Sequence, residues 1–401
     1  MGPRMQPGAA ASRRLRTKVA YGLRVVPAYS WQLLTRRVPH GKVHLIIALA
    51  DHFEPSIVPE DGKARAPYSE QEQRLERWCR EYPKAVERWR DHDGRPFSHT
   101  YFYPAEQYDR GHISRLAEHC HAGWGEIEVH LHHGLSHADT AENLEKTLAG
   151  FRDTLAFEHG CLSSADGGTA PCYAFVHGNF ALANSAGGLC GVDDEMQILA
   201  DTGCFADLTL PSSPFHPSQP AKINSLYECK PPLTERAAFR SGLNLCAGRT
   251  PVKFPLMVQG PLMLSFSLAG RRRIRIENGA FTPSNPPSLS RLRLWKRATI
   301  SVQGRPNWLF LKLHCHGMDP NQENAVLGGS FRHFLESLVH GANERGEILH
   351  FVSAREMVNV ILAACDGREG NPGDYRDYRF KSWKHSAWVA AGGVSRMGGK
   401  A

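Results

Sequence analysis

The segment Glu128-Val-His-Leu-His-His133 gathers imidazole at the end of an apolar stretch. In a strand, residues two apart point to the same side. His130 and His132 would then face one space, about 7 Å apart along the backbone. Imidazoles so placed suit one divalent ion of the zinc, iron, manganese or nickel kind. A lone His is more often a hydrogen-bonded core or surface residue, so the clustering carries the argument. His133 points the other way unless the strand has already ended. It pairs with His137 if a helical turn begins there. Asp51 closes the apolar run His44-Leu-Ile-Ile-Ala-Leu-Ala50, which sets its carboxylate at the rim of a core. A buried carboxylate needs a partner charge or a metal, so Asp51 is expected as a third ligand or as a general base. His52 and Glu54 lie close by. A metal in such a site makes water acidic enough to attack a carbonyl, and a leaving group then needs a proton. His314 is the expected acid and His316 its reserve. His177-Gly-Asn179, Asn184 and Asp207 are second-rank candidates. Of these, His177, Asn179 and Asp207, together with His316, are expected to meet substrate.

The elements that must position these residues alternate. Apolar runs suited to buried parallel strands occur at 44–50, 100–103, 125–132, 173–176, 205–210, 308–313 and 348–352. Helical patterns lie between them, at 69–90, 112–121, 139–159, 195–201, 331–342 and 354–364. The clearest spaces Leu144, Leu148, Phe151 and Leu155 along one face, with Asp139 or Thr140 as cap. Such alternation means a parallel sheet with helices outside it. Chemistry in these folds sits at the C-terminal strand ends, and Asp51-His52, His130 to His133, His177 and His314 to His316 all fall there. The fold expected is α/β: an irregular (β/α) barrel of about seven strands over 41–365. A basic, irregular insertion is expected at about 215–305, a basic flexible arm with at most one helix over 1–40 and a loose tail over 366–401.

The chain has 401 residues, 41% of them hydrophobic, and a formal net charge of +8. That composition supports a sizeable core and excludes wholesale disorder. Residues 1–42 hold many Arg and Lys and no acid. Residues 271–305 are also basic, from Arg271-Arg-Arg273 through Arg291, Arg293, Lys296 and Arg297. Solvated charge is the plain reading of such runs; contact with anionic lipid or glycan is the functional one. Nothing resembles a zinc finger or a recognition helix, so nucleic acid is not an expected partner. The ten Cys form no Cys-x-x-Cys pair, which suits a reducing compartment. No apolar run reaches the length of a membrane span. The expectation is a cytoplasmic protein, with a peripheral contact to the inner membrane offered by the basic N-terminal arm.

The order of these motifs resembles the polysaccharide deacetylase superfamily, carbohydrate esterase family 4 with its NodB-homology barrel. Asp51 stands where the family's first Asp would be, with His52 in place of the second. His133 and His137 offer its paired-His metal motif, His177-Gly-Asn-Phe180 stands at its Arg-x-Pro loop, and Leu311-Lys-Leu-His314 at its last motif. The runs Ala-Asp-His-Phe-Glu-Pro (50–55), His-Gly-Asn-Phe-Ala-Leu (177–182), Cys-Gly-Val-Asp-Asp-Glu (190–195) and Ala-Asp-Leu-Thr-Leu-Pro-Ser (206–212) are closer to an uncharacterised bacterial branch of that superfamily. Its members look like proteins of polysaccharide-related loci.

The resemblance implies a metal-dependent deacetylase of an N-acetylated sugar or polysaccharide precursor, cleaving an amide. Asp51, His130 and His132 would hold one divalent ion, zinc first, with iron, manganese, nickel or cobalt as alternatives. Two rival readings stand beside it. A glycoside hydrolase would need two carboxylates flanking a cleft, for which Asp51, Asp207 and Glu54 are available. A non-catalytic barrel would bind glycan or a partner through the basic insertion.

Overall fold

A computed structural model describes residues 7–59, 61–134, 137–165, 168–187, 189, 191–267 and 273–383. Its centre is a large, mostly parallel sheet. In chain order the elements that matter are α1 (Pro7–Thr35), β1 (Val43–His52), α2 (Tyr68–Val86), β2 (His99–Pro104), α3 (Arg110–His119), β3 (Glu126–Leu131), α4 (Ala141–Asp153), β4 (Pro171–His177), α5 (Glu195–Asp201), β5 (Cys204–Asp207), β6 (Leu256–Val258), α6 (Leu289–Arg297), β7 (Trp308–Cys315), α7 (Gly329–His340), β8 (Glu347–Phe351) and α8 (Ala354–Cys365). The strands lie in the order β6-β5-β4-β3-β2-β1-β7, and β8 also pairs with β1. Every one of these pairings is parallel. All the C-terminal strand ends therefore share one edge, which is where ligands gather in such sheets.

Both faces of the sheet are covered. Leu45, Ile47 and Leu49 of β1 join a core with Trp78 and Tyr82 of α2, Leu116 of α3, Leu148 of α4 and Phe334 of α7. Ile46, Ala48 and Ala50, one residue out of phase, join a second core with Met357, Val358 and Ile361 of α8. Burial on two sides is why β1 reads as a continuous apolar run. α8 is buried along its whole length and starts from a capping box formed by Ser353 and Glu356, which satisfies orphan amide donors at a buried end. α4 is capped by Thr140, whose side chain accepts from Asn143 N, as its sequence led us to expect.

The two ends of the parallel run approach each other. Gly260, just past β6, donates to Leu210 O, and a Cβ there would lie 2.4 Å from the Lys312 carbonyl of β7. Only Gly permits that approach.

Three segments differ from their sequence reading. The region 215–305 is no mere insertion, because β6 and the antiparallel strands Leu226–Cys229 and Gly242–Asn244 extend the main sheet. Its basic charge is partly neutralised: Arg291 is buried against Glu277 at 2.7 Å, and Lys296 meets Glu347 at 2.6 Å. The N-terminal arm holds the one helix allowed for it, but its end is docked and not free, through Gln32 to Ile223 O and Arg36 to Asn224 O. Arg271 and Arg272 of the basic run, Cys190, and the last part of the expected tail (384–401) lie outside the described residues. The tail before them is ordered by Arg376, which bonds Asp91 and Asp93 at 2.9 Å. The described cysteines are all free. No described helix is long and apolar enough to cross a membrane.

Candidate metal centre

The even-numbered side of β1, facing α8, ends in His52. The same side of β3 ends in His130, and that of β7 in His314. The His52 ring lies 4.8 Å from the His130 ring and 4.6 Å from the His316 ring, centroid to centroid. His130 and His132 rings are 4.7 Å apart, edge to face. The expectation that His130 and His132 share one space therefore holds. The residue that joins them is Glu54, two positions beyond β1. Its Oε1 lies 3.2 Å from His130 Nε2 and 3.0 Å from His132 Nε2.

The far side of each ring shows what this contact needs. His130 Nδ1 lies 2.7 Å from the Val176 carbonyl, an acceptor only, so Nδ1 carries a proton. His132 Nδ1 lies 2.8 Å from Glu106 Oε1, again an acceptor. Both Nε2 lone pairs are thus aimed at a carboxylate oxygen, and each gap requires a proton or a cation. Orientation of a ligating His by a carbonyl or carboxylate at its other nitrogen is the usual support of a metal site. The separations suit ligand atoms that each stand about 2.0–2.2 Å from a shared ion. One nitrogen of His52 also falls within 4.8 Å of the Glu54 and His130 ligand atoms. The residues that fit one divalent ion are therefore Glu54, His130 and His52, with His132 Nε2 reaching the same Glu54 oxygen at 3.0 Å as a further donor.

Without an ion, protons do the same work. Burial opposes charge on His132, but the Glu106 and Glu54 carboxylates outweigh it and lift its pKa to about 10. Burial likewise works against ionised Glu54, yet His130 and His132 hold it well below the usual carboxylate range. Burial, then His316 and His130, push His52 down.

Gly178 explains the turn after β4. A Cβ there would lie 2.2 Å from the His132 ring, so glycine is what lets this ring settle over the end of β4. Phe180 and His216 continue the rim: Phe180 is 6.1 Å from the His52 ring and 6.2 Å from the His216 ring.

Other expected residues lie elsewhere. Asp51 sits on the opposite side of β1 from His52, with Trp78 and Tyr82. It is fully buried, accepting from His99 Nε2 at 2.8 Å and from Gly317 N at 2.6 Å. The expected grouping of Asp51 with His130 and His132 is not formed, because alternation along β1 turns it away. Asp207 is also fully buried, and both its oxygens accept from Thr209. Thr209 Oγ1 in turn accepts from His177 N, so Asp207 supports the end of β4 and has no free face for substrate. His177 is fully buried and bonded to His133, not open to a substrate. Asn179 is half-buried, and its amide donates to His177 Nδ1. His137 is exposed.

His314 reaches the site side of β7 with Nδ1 buried and unpartnered. Burial first, then Lys312 and His316, push its pKa well down. A neutral imidazole accepts a proton, so this environment disfavours the acid role expected of His314. His316 is half-buried against His52.

Glu106 was missed in the sequence, although its place just past β2 was a usable signal. No family model matches the chain, and no curated protein matches it.

Proposed function

We propose that the chain is a metal-dependent hydrolase, built on a deacetylase-like barrel, that removes the acetyl group of an N-acetylated sugar or glycan precursor. The observation that carries this reading is Glu54 Oε1 within 3.2 Å and 3.0 Å of two imidazole nitrogens whose partner nitrogens are already committed as donors. A divalent ion there supplies a Lewis acid and brings the acidity of water towards neutral pH. Glu54 and His130 would hold the ion with His52 or His132 as the third ligand, and Glu106 fixes the His132 ring. Half-buried His316, just past the end of β7, relays the proton given up by the attacking water to the leaving nitrogen, with His314 staying neutral beside it. Phe180 offers an apolar face to a sugar ring. The approach of β6 to β7 through Gly260 supports the barrel.

The glycosidase reading loses ground, because Asp51 and Asp207 are buried with their oxygens occupied. A binding role through the basic insertion loses ground with the neutralisation of Arg291 and Lys296.

The test is elemental analysis of the purified chain together with acetate release from acetylated chitooligosaccharides and nucleotide sugars. The unmodified chain is expected to bind one divalent ion more than His130→Ala/His132→Ala binds, and to release acetate where that variant does not. A chain whose metal content and affinity do not respond to that double variant, or one that cleaves only glycosidic bonds, overturns the reading.

A further inference from the structure

The strand β3 ends at Leu131, and the backbone there turns His133 away from His130 and His132. Its Nε2 comes to 3.0 Å from His177 Nε2, at the end of β4. Glu195, the first residue of α5, brings Oε1 to 3.6 Å from His133 Nε2 and 3.7 Å from His177 Nε2. All three residues are buried. These three atoms form a near-equilateral triangle. A tetrahedral ion with ligands at about 2.0–2.1 Å has ligand-to-ligand edges of about 3.3 Å, which the observed edges bracket.

The carboxylate supplies a second, independent observation. Glu195 Oε2 accepts from Ala183 N at 2.5 Å. Glu195 Oε1 is buried with no hydrogen-bond partner at all. Buried polar atoms are rarely left so, and each carries a desolvation cost. This one is aimed at two imidazole nitrogens.

The rings are also held. His133 Nδ1 donates to Asp139 Oδ2 at 2.8 Å, leaving the Nε2 lone pair free to ligate, as in a carboxylate–histidine–metal arrangement. His177 is set differently. Its Nδ1 accepts from Asn179 N at 3.1 Å, so its proton is on Nε2, facing His133 Nε2. That arrangement satisfies both rings and leaves Glu195 Oε1 without a donor.

We propose that His133, His177 and Glu195 form a second divalent-ion site, closed and structural, that ties together the ends of β3 and β4 and the start of α5. Its ligand is an ion of the zinc class, since two imidazoles and a carboxylate suit that group. Loading moves the His177 proton from Nε2 to Nδ1, with no net proton lost. The Asn179 amide must then turn away from Nδ1. The site stands independently of the hydrolase reading, because it shares no ligand with Glu54, His130 and His132.

The experiment uses the full chain, stripped with a chelator and titrated with zinc, with ion content read by elemental analysis and affinity by calorimetry. Side-chain nitrogen NMR reports the His177 tautomer in the same titration. One ion is expected to persist in His130→Ala/His132→Ala and to be lost in Glu195→Gln/His177→Ala. Asp139→Asn is expected to weaken that ion about 10–100-fold. His177 is expected to change from the Nε2–H to the Nδ1–H tautomer as zinc is added. Should Glu195→Gln/His177→Ala fail to fold, the tautomer measurement on the unmodified chain decides. An ion count unchanged in the folded variant, or a His177 tautomer unmoved at saturating zinc, overturns the proposal. Loss of every ion in folded His130→Ala/His132→Ala also overturns it, whereas loss of one of two ions there supports the separate sites and bears on the hydrolase reading.

Discussion

His130 meets Glu54 at 3.2 Å through Nε2 while its Nδ1 is spent on the Val176 carbonyl. An imidazole so fixed has one lone pair to offer, and it offers it to a carboxylate. Glu54→Gln removes the charge and keeps the shape. Ion affinity at this site is expected to fall by on the order of 100-fold or more, beyond the ~10–100-fold typical of supporting residues. Calorimetric titration of the chelator-stripped chain measures it, and an unchanged affinity would remove Glu54 from the ligand set.

Glu106 acts on His132 and not on the ion. Glu106→Gln is expected to weaken ion binding by about 10–100-fold while leaving the number of ions bound at saturation unchanged. A drop in that number would instead make Glu106 a ligand.

Gly178→Ala sets a methyl group 2.2 Å from the His132 ring as it now lies. The ring must move. The expected result is weakened ion binding with a stability cost of about 1–3 kcal/mol, read by titration and by urea melts. Normal binding in this variant would show that His132 can ligate from another position.

Asp51→Ala separates the sequence expectation from the structure. Removing it leaves the buried Gly317 amide and the His99 ring without their acceptor. Destabilisation on the order of 3 kcal/mol is expected, with ion content per folded molecule unchanged. Loss of the ion from folded Asp51→Ala protein would return Asp51 to the ligand set.

His119 gives the fold an acid-labile point. Burial first, then His99 and Arg115, lower its pKa to about 3 from 6.5. Its Nε2 lies 3.0 Å from the Tyr101 hydroxyl, whose proton goes to the Trp124 carbonyl. The unfolded chain therefore protonates His119 at higher pH than the folded one. The contribution is complete above pH 6.5 and is lost as pH falls towards 3. In His119→Gln the stability slope over this window is expected to be shallower by up to about 1.4 kcal/mol per pH unit. Urea melts at several pH values check this, and an unchanged slope would assign the acid limb to other groups.

Strand positions were legible because apolar runs of this length, broken by polar segments, leave few alternatives. β3, β4, β7 and β8 fall within a few residues of where their patterns place them. α5 spans the residues read for it, and α4 starts at its expected cap. The pairing of His130 with His132 followed from the two-residue period of a strand. Region 215–305 was misjudged because its strands are only three or four residues long where they join the sheet, too short to show a period.

What the sequence determined by itself was a row of imidazoles at the C-terminal ends of parallel strands, with Asp51 and His52 pointing to opposite sides of β1. It could not say which side faces the site. Leu45, Ile47 and Leu49 are buried on one face of β1, and Ile46, Ala48 and Ala50 on the other. With both faces apolar, no pattern in the strand marks one as inward. Only the packing of α2 on one side and α8 on the other decided that His52 joins His130 and that Asp51 turns to His99. Only tertiary structure brought Glu54, Glu106 and Glu195 to these rings, because each carboxylate lies outside the strands that carry them and its direction depends on how the chain leaves a strand or enters a helix.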